Sequence, residues 1–319
     1  MKKNILIVSS SGLITDKIEQ IKKSYPNVNI IQCDDNISSI ENNMNNINVL
    51  INCPRKIFSK NFFLKIKNTL EWVHIGGAGC EEYLFPEFVN SDVILTNGKI
   101  IQGPEVSDHA LALLLCISRN LNYVIKNKEN IMPRPIELRN KKVLILGVGG
   151  IGSLIAEKLS AFGMHVIGVD QRLVPMNSFI DEFYYQHDLE HVINKADVVI
   201  SAVPATNDSN KVFSNNIFKR MKDKVIFINV SRGKIVDTDA LLVHLKNDKF
   251  LGIGLDVSDP EPLSEDHYLR KDIRVIISPH IAGPSDHNRD RAIEILYKNL
   301  KNYILNYPLI NIVDKKLGF

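Results

Sequence analysis

Three side chains able to bind a carboxylate and to move a proton follow successive apolar runs in the second half of the chain. Arg232 comes just after "VIFIN", Glu261 comes shortly after "GIGLD", and His280 comes just after "VIISP". A guanidinium grips a carboxylate with two hydrogen bonds and polarises an adjacent carbonyl, and an imidazole delivers protons near neutral pH. A carboxylate beside the imidazole stabilises its protonated form and fixes its tautomer. If the three runs are neighbouring strands, the side chains converge at one edge of a sheet.

Each of the three residues also has a purely structural role open to it. Arg232 fits a surface salt bridge, Glu261 fits a turn bounded by prolines, and His280 fits a hydrogen-bond donor at a strand end. Residue type alone does not choose between these roles and catalysis.

A glycine-rich turn upstream of these residues is typical of a dinucleotide-binding site. In "KVLILGVGGIG" the glycines Gly147, Gly149 and Gly152 follow an apolar run and precede a helix-length segment. They allow a tight turn, a close approach of backbone N–H groups to a pyrophosphate, and close packing of helix on strand. Asp170 ends the next apolar run, 18 positions after Gly152. An acid there binds ribose hydroxyls and repels a 2′-phosphate, so NAD is expected, although Arg172 leaves NADP possible.

Short apolar runs alternate with helix-length segments along the whole chain. Runs of four to six residues rich in β-branched side chains indicate parallel strands covered on both faces. The predicted fold class is therefore α/β, with doubly wound parallel sheets. The predicted strands are 4–9, 28–31, 48–52, 72–75, 93–96, 142–146, 165–169, 197–202, 224–229, 251–256 and 274–278.

Two helices divide this alternation. Pro104 suits the first turn of a helix over "EVSDHALALLLCISRNL", which leads to the fresh strand at Lys142. A last helix at about 287–305 has apolar residues near helical spacing. Its return to the first domain would make a discontinuous two-domain chain, an arrangement that spacing alone leaves open.

Composition excludes several functional classes. The net charge is +3, and no block of lysine and arginine resembles a nucleic-acid or membrane patch. No segment approaches the length of a membrane span, and the first apolar run is too short for a signal peptide. The four cysteines form no CxxC pair and no metal-ligand spacing, so we expect reduced thiols, a cytoplasmic protein and no metal.

The motifs "SRGKIVD", "LDVSDPEP" and "SPHIAG", in order after "GVGGIG", closely resemble those of the D-isomer-specific 2-hydroxyacid dehydrogenase family, including its formate and glycerate dehydrogenase-like members. The resemblance runs from the first strand to the last helix. It implies a flavodoxin-like substrate domain built from residues 1–100 and 286–319, with a Rossmann NAD(P)-binding domain at 101–285 inserted into it. It also implies that Arg232 binds the substrate carboxylate and carbonyl, that Glu261 is the partner of the histidine, and that His280 is the acid/base.

The same resemblance assigns smaller roles. Ala78 and Gly79, in "HIGGAGCEEY", match the loop whose backbone binds the substrate carboxylate. The implied cofactor contacts lie at the pyrophosphate turn, below the riboses and beside the nicotinamide: Gly150, Ile151, Val203, Pro204, Val230, Ser231, Asp256, Ala282 and Gly283.

The expected reaction is reduction of a small 2-oxo acid, such as glyoxylate or hydroxypyruvate, to a D-2-hydroxy acid. 3-Phosphoglycerate dehydrogenase is an alternative, weakened because the substrate loop has no arginine and because we expect no C-terminal regulatory domain. A non-catalytic NAD-responsive protein, similar to the co-repressors of the family, is another, but such a sensor would not need Arg232, Glu261 and His280 together. The unbroken apolar run at 110–117 and the resemblance predict a homodimer.

Overall fold

The structure is a computed structural model that describes residues 3–9, 15–173, 178–206 and 208–319. The chain divides into two units. The first consists of Met1–Ile101 and Ser285–Phe319, and the second is the continuous segment Gln102–Pro284.

Twelve strands form two parallel sheets within the described ranges. They are β1 Lys3–Val8, β2 Val28–Cys33, β3 Val49–Ile51, β4 Trp72–His74, β5 Ile94–Thr96, β6 Lys142–Leu146, β7 His165–Asp170, β8 Glu182–Tyr185, β9 Val198–Ser201, β10 Val225–Asn229, β11 Phe250–Leu255 and β12 Val275–Ile277.

Helices alternate with these strands. They are α1 Thr15–Ser24, α2 Ile37–Asn43, α3 Lys60–Ile66, α4 Pro86–Val89, α5 Gly103–Ser118, α6 Leu121–Ile125, α7 Gly150–Ala161, α8 Leu189–Val192, α9 Asn215–Arg220, α10 Thr238–Lys246, α11 Tyr268–Lys271 and α12 Asn288–Ile304. No helix in the described ranges is both long enough and apolar enough to cross a membrane.

The sheet of the first unit has the order β2-β1-β3-β4-β5, and every pairing is parallel. Its two faces are covered by separate apolar clusters. One contains Phe58, Phe63 and Phe88, and the other contains Trp72 with Leu300 of α12. Burial on both faces explains why these strands are short unbroken apolar runs rather than alternating ones.

The sheet of the second unit has the order β12-β11-β10-β9-β6-β7-β8 and is also parallel throughout. The chain order reverses between β6 and β9, as it does in doubly wound dinucleotide-binding sheets. The predicted α/β class with two doubly wound sheets is confirmed. The sequence prediction missed β8, because "EFYY" is a partly exposed edge strand without an apolar run.

Helix α5 is mostly covered by its own unit. Ala110, Leu113, Leu114 and Ile117 are buried against the second sheet, whereas Ala112 on the opposite side is exposed. The apolar run of this helix therefore does not by itself require a second subunit, contrary to the argument from the sequence.

A buried histidine lies in the first unit. Trp72 Nε1 donates to Thr96 Oγ1 at 2.8 Å, and the same oxygen lies 2.8 Å from His74 Nδ1. Since Trp72 can only donate, the Thr96 hydroxyl is free to give its proton to Nδ1, which suits a neutral ring. Burial lowers the pKa of His74 from 6.5 to about 4. The unfolded chain therefore binds a proton between these pH values and the folded chain does not.

Stability of the first unit should fall as the pH drops from about 6.5 to about 4, by up to about 1.4 kcal/mol per pH unit from this residue. The single tryptophan, Trp72, is buried in the same unit, and its fluorescence can follow urea unfolding. His74→Asn should flatten the dependence on pH in this window. His187→Asn, at an exposed histidine, should keep the wild-type slope. Equal slopes for His74→Asn and the wild type would contradict the prediction.

Candidate active site

The glycine turn lies at the reversal point of the second sheet. Gly147 has φ of +88°, and a Cβ added to it would lie 2.8 Å from the carbonyl of Ala202 and from the Val203 side chain, just past β9. The turn that leaves β6 is therefore pressed against the end of β9, where ligands of such sheets bind.

The other glycines of the turn have different surroundings. A Cβ on Gly152 would lie 1.9 Å from the Gly147 carbonyl oxygen, so only glycine lets α7 start this close to β6. A Cβ on Gly149 would have no atom within 4 Å. Gly150 and Ile151 open the twelve-residue helix α7 directly behind this bare surface. An uncovered turn at a helix N-terminus fits a dinucleotide pyrophosphate.

Asp170, at the end of β7, is tied to this turn. Its Oδ2 accepts from Val148 N at 2.9 Å and its Oδ1 accepts from Arg172 N at 3.2 Å. The carboxylate is thus held beside the glycine turn while it keeps lone pairs for ribose hydroxyls. Val203 and Pro204 follow β9 next to the same turn, and the Pro204 carbonyl accepts from Ser209 Oγ at 2.7 Å.

Arg232 lies in a turn organised by a buried asparagine. Asn229, at the end of β10, donates Nδ2–H to the Arg232 carbonyl at 3.0 Å and accepts from Ser231 N and Oγ. Ser231 Oγ is also 2.8 Å from Ser201 Oγ at the end of β9. Val230 is buried in the same turn. The sequence prediction missed Asn229, although a polar residue that ends an apolar strand was a usable signal.

The Arg232 and Glu261 segments touch through their backbones. A Cβ on Gly233 would lie 2.0 Å from the Ser258 carbonyl oxygen, so a side chain at this position would separate the two loops. Ser258 N donates weakly to Glu261 Oε2 at 3.4 Å. Adjacent strands β10 and β11 deliver both loops to the same sheet edge.

His280 and Glu261 form a direct pair. His280 Nδ1 lies 2.6 Å from Glu261 Oε1, and both side chains are about half exposed. A carboxylate accepts only, so Nδ1 carries the proton of this bond and Nε2 faces away from Glu261. His280 has φ of 55°, an uncommon backbone conformation for a residue other than glycine.

Asp256 lies beneath this histidine and is 2% exposed. Its carboxylate accepts from Ser278 Oγ at 2.7 Å, Ile281 N at 3.0 Å and Ala282 N at 3.1 Å. Its own carbonyl accepts from His280 N at 2.9 Å. Asp256 therefore holds the loop that carries His280, and its expected contact with the nicotinamide stays a prediction.

Gly283 ends this loop. A Cβ there would meet the Gln102 amide at 2.6 Å, so the chain passes close to the residue that precedes α5.

The second unit gathers Arg232, Glu261, His280 and Asp256 at the carboxyl ends of β10–β12.

The predicted substrate loop belongs to the first unit. Asn97, just past β5 and 2% exposed, donates Nδ2–H to the Ala78 carbonyl at 2.7 Å. Gly98 N donates to the Gly77 carbonyl at 2.8 Å, and a Cβ on Gly98 would overlap the Gly76 carbonyl. These contacts hold the backbone that leads into Gly79. Asn97 was not anticipated from the sequence, since nothing local links it to residue 78.

Cys53 lies beneath the same end of the first sheet. Burial raises its pKa to about 12, so its thiol stays protonated at neutral pH. Its side chain packs in the apolar cluster of the first unit.

Comparison with known proteins places this arrangement among dehydrogenases. The family model described as "D-isomer specific 2-hydroxyacid dehydrogenase, NAD binding domain" matches residues 111–282. A glyoxylate reductase of Korarchaeum cryptofilum is 30% identical over 224 residues, which cover 67% of each chain. A D-3-phosphoglycerate dehydrogenase of Archaeoglobus fulgidus is 26% identical over 79% of this chain and 48% of that protein.

The fold of the chain matches that of a solved structure. A D-isomer-specific 2-hydroxyacid dehydrogenase family protein from Aeromonas salmonicida superposes with a TM-score of 0.79 at 28% identity. The match covers 99% of this chain and 100% of that one.

Gly149 and Gly152 of the turn should respond differently to an added methyl group. Gly149→Ala should fold like the wild type, because the space is open, yet weaken NADH binding by about tenfold or more through obstruction of the pyrophosphate. Gly152→Ala should lower the melting temperature, since its Cβ overlaps the Gly147 carbonyl. Thermal melts and NADH fluorescence titration measure the two effects. Normal NADH affinity in Gly149→Ala would show that no pyrophosphate approaches this turn.

Proposed function

The chain belongs to the D-isomer-specific 2-hydroxyacid dehydrogenase family, whose members interconvert 2-oxo and D-2-hydroxy acids with NAD(P), and we propose that its own substrate is a small 2-oxo acid of the glyoxylate or hydroxypyruvate type. The observation that carries this proposal is the His280–Glu261 pair at 2.6 Å, next to the Arg232 turn. We propose the first unit as the substrate domain and the second as the cofactor domain.

Each side chain of the pair and the turn has a defined task. When NAD(P)H is bound, it supplies the hydride for the carbonyl carbon. His280 donates the Nε2 proton to the 2-oxo oxygen, and the Glu261 carboxylate keeps the opposite nitrogen protonated and the ring oriented. Arg232 binds the substrate carboxylate and draws electron density from the carbonyl oxygen. The backbone at Ala78 and Gly79 is the proposed second ligand of that carboxylate.

The cofactor turn is proposed to hold the dinucleotide along one line of contacts. The turn and the start of α7 are proposed to face the pyrophosphate, and Asp170 is proposed to face the adenosine ribose. The pyrophosphate residues are Gly147, Gly149, Gly150, Ile151 and Gly152. The remaining proposed contacts lie below the riboses and beside the nicotinamide: Val203, Pro204, Val230, Ser231, Asp256, Ala282 and Gly283.

A phosphorylated substrate is the second candidate, since a D-3-phosphoglycerate dehydrogenase is among the relatives. A phosphate needs cations in excess of those that bind the carboxylate. Arg55 follows β3 in the first unit, and its guanidinium lies 2.8 Å from the Glu82 carboxylate. This ion pair is exposed and therefore weak, so Arg55 alone does not decide against a phosphate. The small unphosphorylated acid is favoured because the substrate loop at 75–83 has no arginine of its own.

A sensor without catalysis is less well supported. Binding of a dinucleotide alone requires the glycine turn and Asp170, but it does not require an imidazole paired with a carboxylate. The His280–Glu261 pair is an arrangement that proton transfer uses and that cofactor binding alone does not use.

Wild-type protein should oxidise NADH with glyoxylate or hydroxypyruvate, followed by absorbance at 340 nm, and less efficiently with 3-phosphohydroxypyruvate. His280→Ala should lower kcat by about 10²-fold or more with a smaller change in KM, because proton transfer matters in the transition state. Arg232→Lys should damage both constants, since an ammonium lacks the two-pronged geometry. Lys234→Ala, at an exposed neighbour of Arg232, is the matched control and should behave like the wild type. Cofactor binding without any turnover across the panel would favour the sensor instead.

Asp170 should set the preference for NADH over NADPH. Asp170→Ser removes the charge that repels a 2′-phosphate and should reduce the preference by about tenfold, equivalent to about 1.4 kcal/mol. Arg172→Ala, at the competing cation, should instead raise it. The ratio of kcat/KM values for the two cofactors is the measurement. A wild type that prefers NADPH would mean that Arg172 dominates.

We also propose a homodimer and a cytoplasmic location. All four cysteines are free, which suits a reducing compartment. Exposed apolar side chains cluster after α5 in the second unit, at Leu121, Val124, Ile125, Ile131 and Met132. Clusters of this kind commonly mark subunit interfaces.

Light scattering should give twice the 36.1 kDa chain mass at micromolar concentration. A charge placed in the cluster by Ile125→Asp should shift the mass towards the monomer, whereas Val243→Asp, at an exposed position on α10, should not. A wild-type monomer mass would rule the dimer out.

A further inference from the structure

A second histidine contacts the loop that carries His280. His109 lies on α5, and its Nε2 is 2.7 Å from Ser278 Oγ, although 169 positions separate the two residues. Ser278 Oγ in turn donates to Asp256 Oδ1 at 2.7 Å. His109 Nε2 is itself 3.4 Å from that carboxylate oxygen. Neither His109 nor Ser278 is among the residues that the sequence predicts to act in catalysis or cofactor binding.

Counting protons determines the direction of this chain of hydrogen bonds. Asp256 is a carboxylate and only accepts, so the single hydroxyl proton of Ser278 goes to it. Ser278 Oγ must then accept from His109, which requires a proton on Nε2 of that ring. His109 is therefore the donor that starts the series, and Asp256 is its end.

The Asp256 carboxylate has little solvent around it and depends on these donors. At 2% exposure, a carboxylate that lacks donors is costly, and it keeps its position only while they are in place. Two of its three hydrogen-bond donors are the backbone N–H groups of Ile281 and Ala282, directly after His280. A shift of the carboxylate therefore shifts the peptide groups that hold His280 at φ of 55°.

We propose that His109 and Ser278 are positioning residues for the acid/base: through Asp256 they orient the His280 imidazole towards Glu261. This inference rests on the proposed role of His280 and adds a helix residue to it. Asp256 thus couples the position of α5 to the orientation of the catalytic ring. A loop in this backbone conformation persists only when surrounding contacts enforce it.

Imidazole NMR spectra test the proposal without relying on turnover. In ¹⁵N-histidine-labelled protein, His109 should carry its proton on Nε2 and His280 on Nδ1. His109→Leu and Ser278→Ala should move or broaden the His280 signals. His109→Gln, whose amide N–H replaces the Nε2 donor, and Ser278→Thr, which keeps the hydroxyl, should leave them in place. Unchanged His280 signals in His109→Leu would overturn the proposal.

A double-mutant cycle provides the kinetic test. His109→Leu should lower kcat by about 5- to 10-fold in the wild-type background, with a smaller change in NADH affinity. In the His280→Ala background the same change should lower the residual kcat by less than about twofold, because the ring to be oriented is missing. Equal losses in both backgrounds would show a general structural role and overturn the proposal. If the wild type reduces no 2-oxo acid, the proposed function fails, and the NMR result still decides the positioning role.

Discussion

The Asp256 carboxylate is the constraint on which the candidate active site depends. A charge that is almost fully removed from water must be surrounded by donors, and here those donors are a serine hydroxyl and two backbone N–H groups. They come from one stretch of chain after β12, so satisfying the carboxylate also determines the path of that stretch. His280 lies at its centre with its own N–H bound to the Asp256 carbonyl. The position of the proposed acid/base is thus a consequence of burying one charge.

Three glycines let backbone segments of the candidate site lie in direct contact with each other. Gly152 lets α7 start against β6, Gly233 lets the Arg232 turn touch the Ser258 segment, and Gly98 lets the chain pass under the proposed substrate loop. In each case a Cβ would overlap a carbonyl oxygen, so any other residue would push apart two segments that must lie together. Gly149 differs, because the space around it is open, and its proposed role is to let the cofactor approach the backbone.

Two buried asparagine side chains hold the other loops of the candidate site in place. Asn229 ties the Arg232 turn to β10, and Asn97 ties the Ala78 carbonyl to β5. Both are nearly inaccessible to solvent, so their hydrogen bonds do not compete with water and define a single loop conformation. Neither side chain is placed to react. Each reduces the freedom of a residue that is proposed to bind the substrate, and pre-organisation of this kind lowers the entropic cost of reaching the transition state.

The sequence by itself determined the α/β class, eleven of the twelve described strands and the family, because these depend on local patterns. A β-branched run between helices, a glycine turn before a helix and short motifs in order along the chain are all visible within a few residues. The tertiary structure alone decided the partners of the side chains. The pairing of His109 with Ser278, the use of the Asp256 carboxylate by the His280 loop and the burial of α5 in its own unit depend on packing between distant segments. Hydrogen bonds form between groups that packing brings within about 3 Å of each other. For residues far apart along the chain, the sequence does not show which pairs come that close.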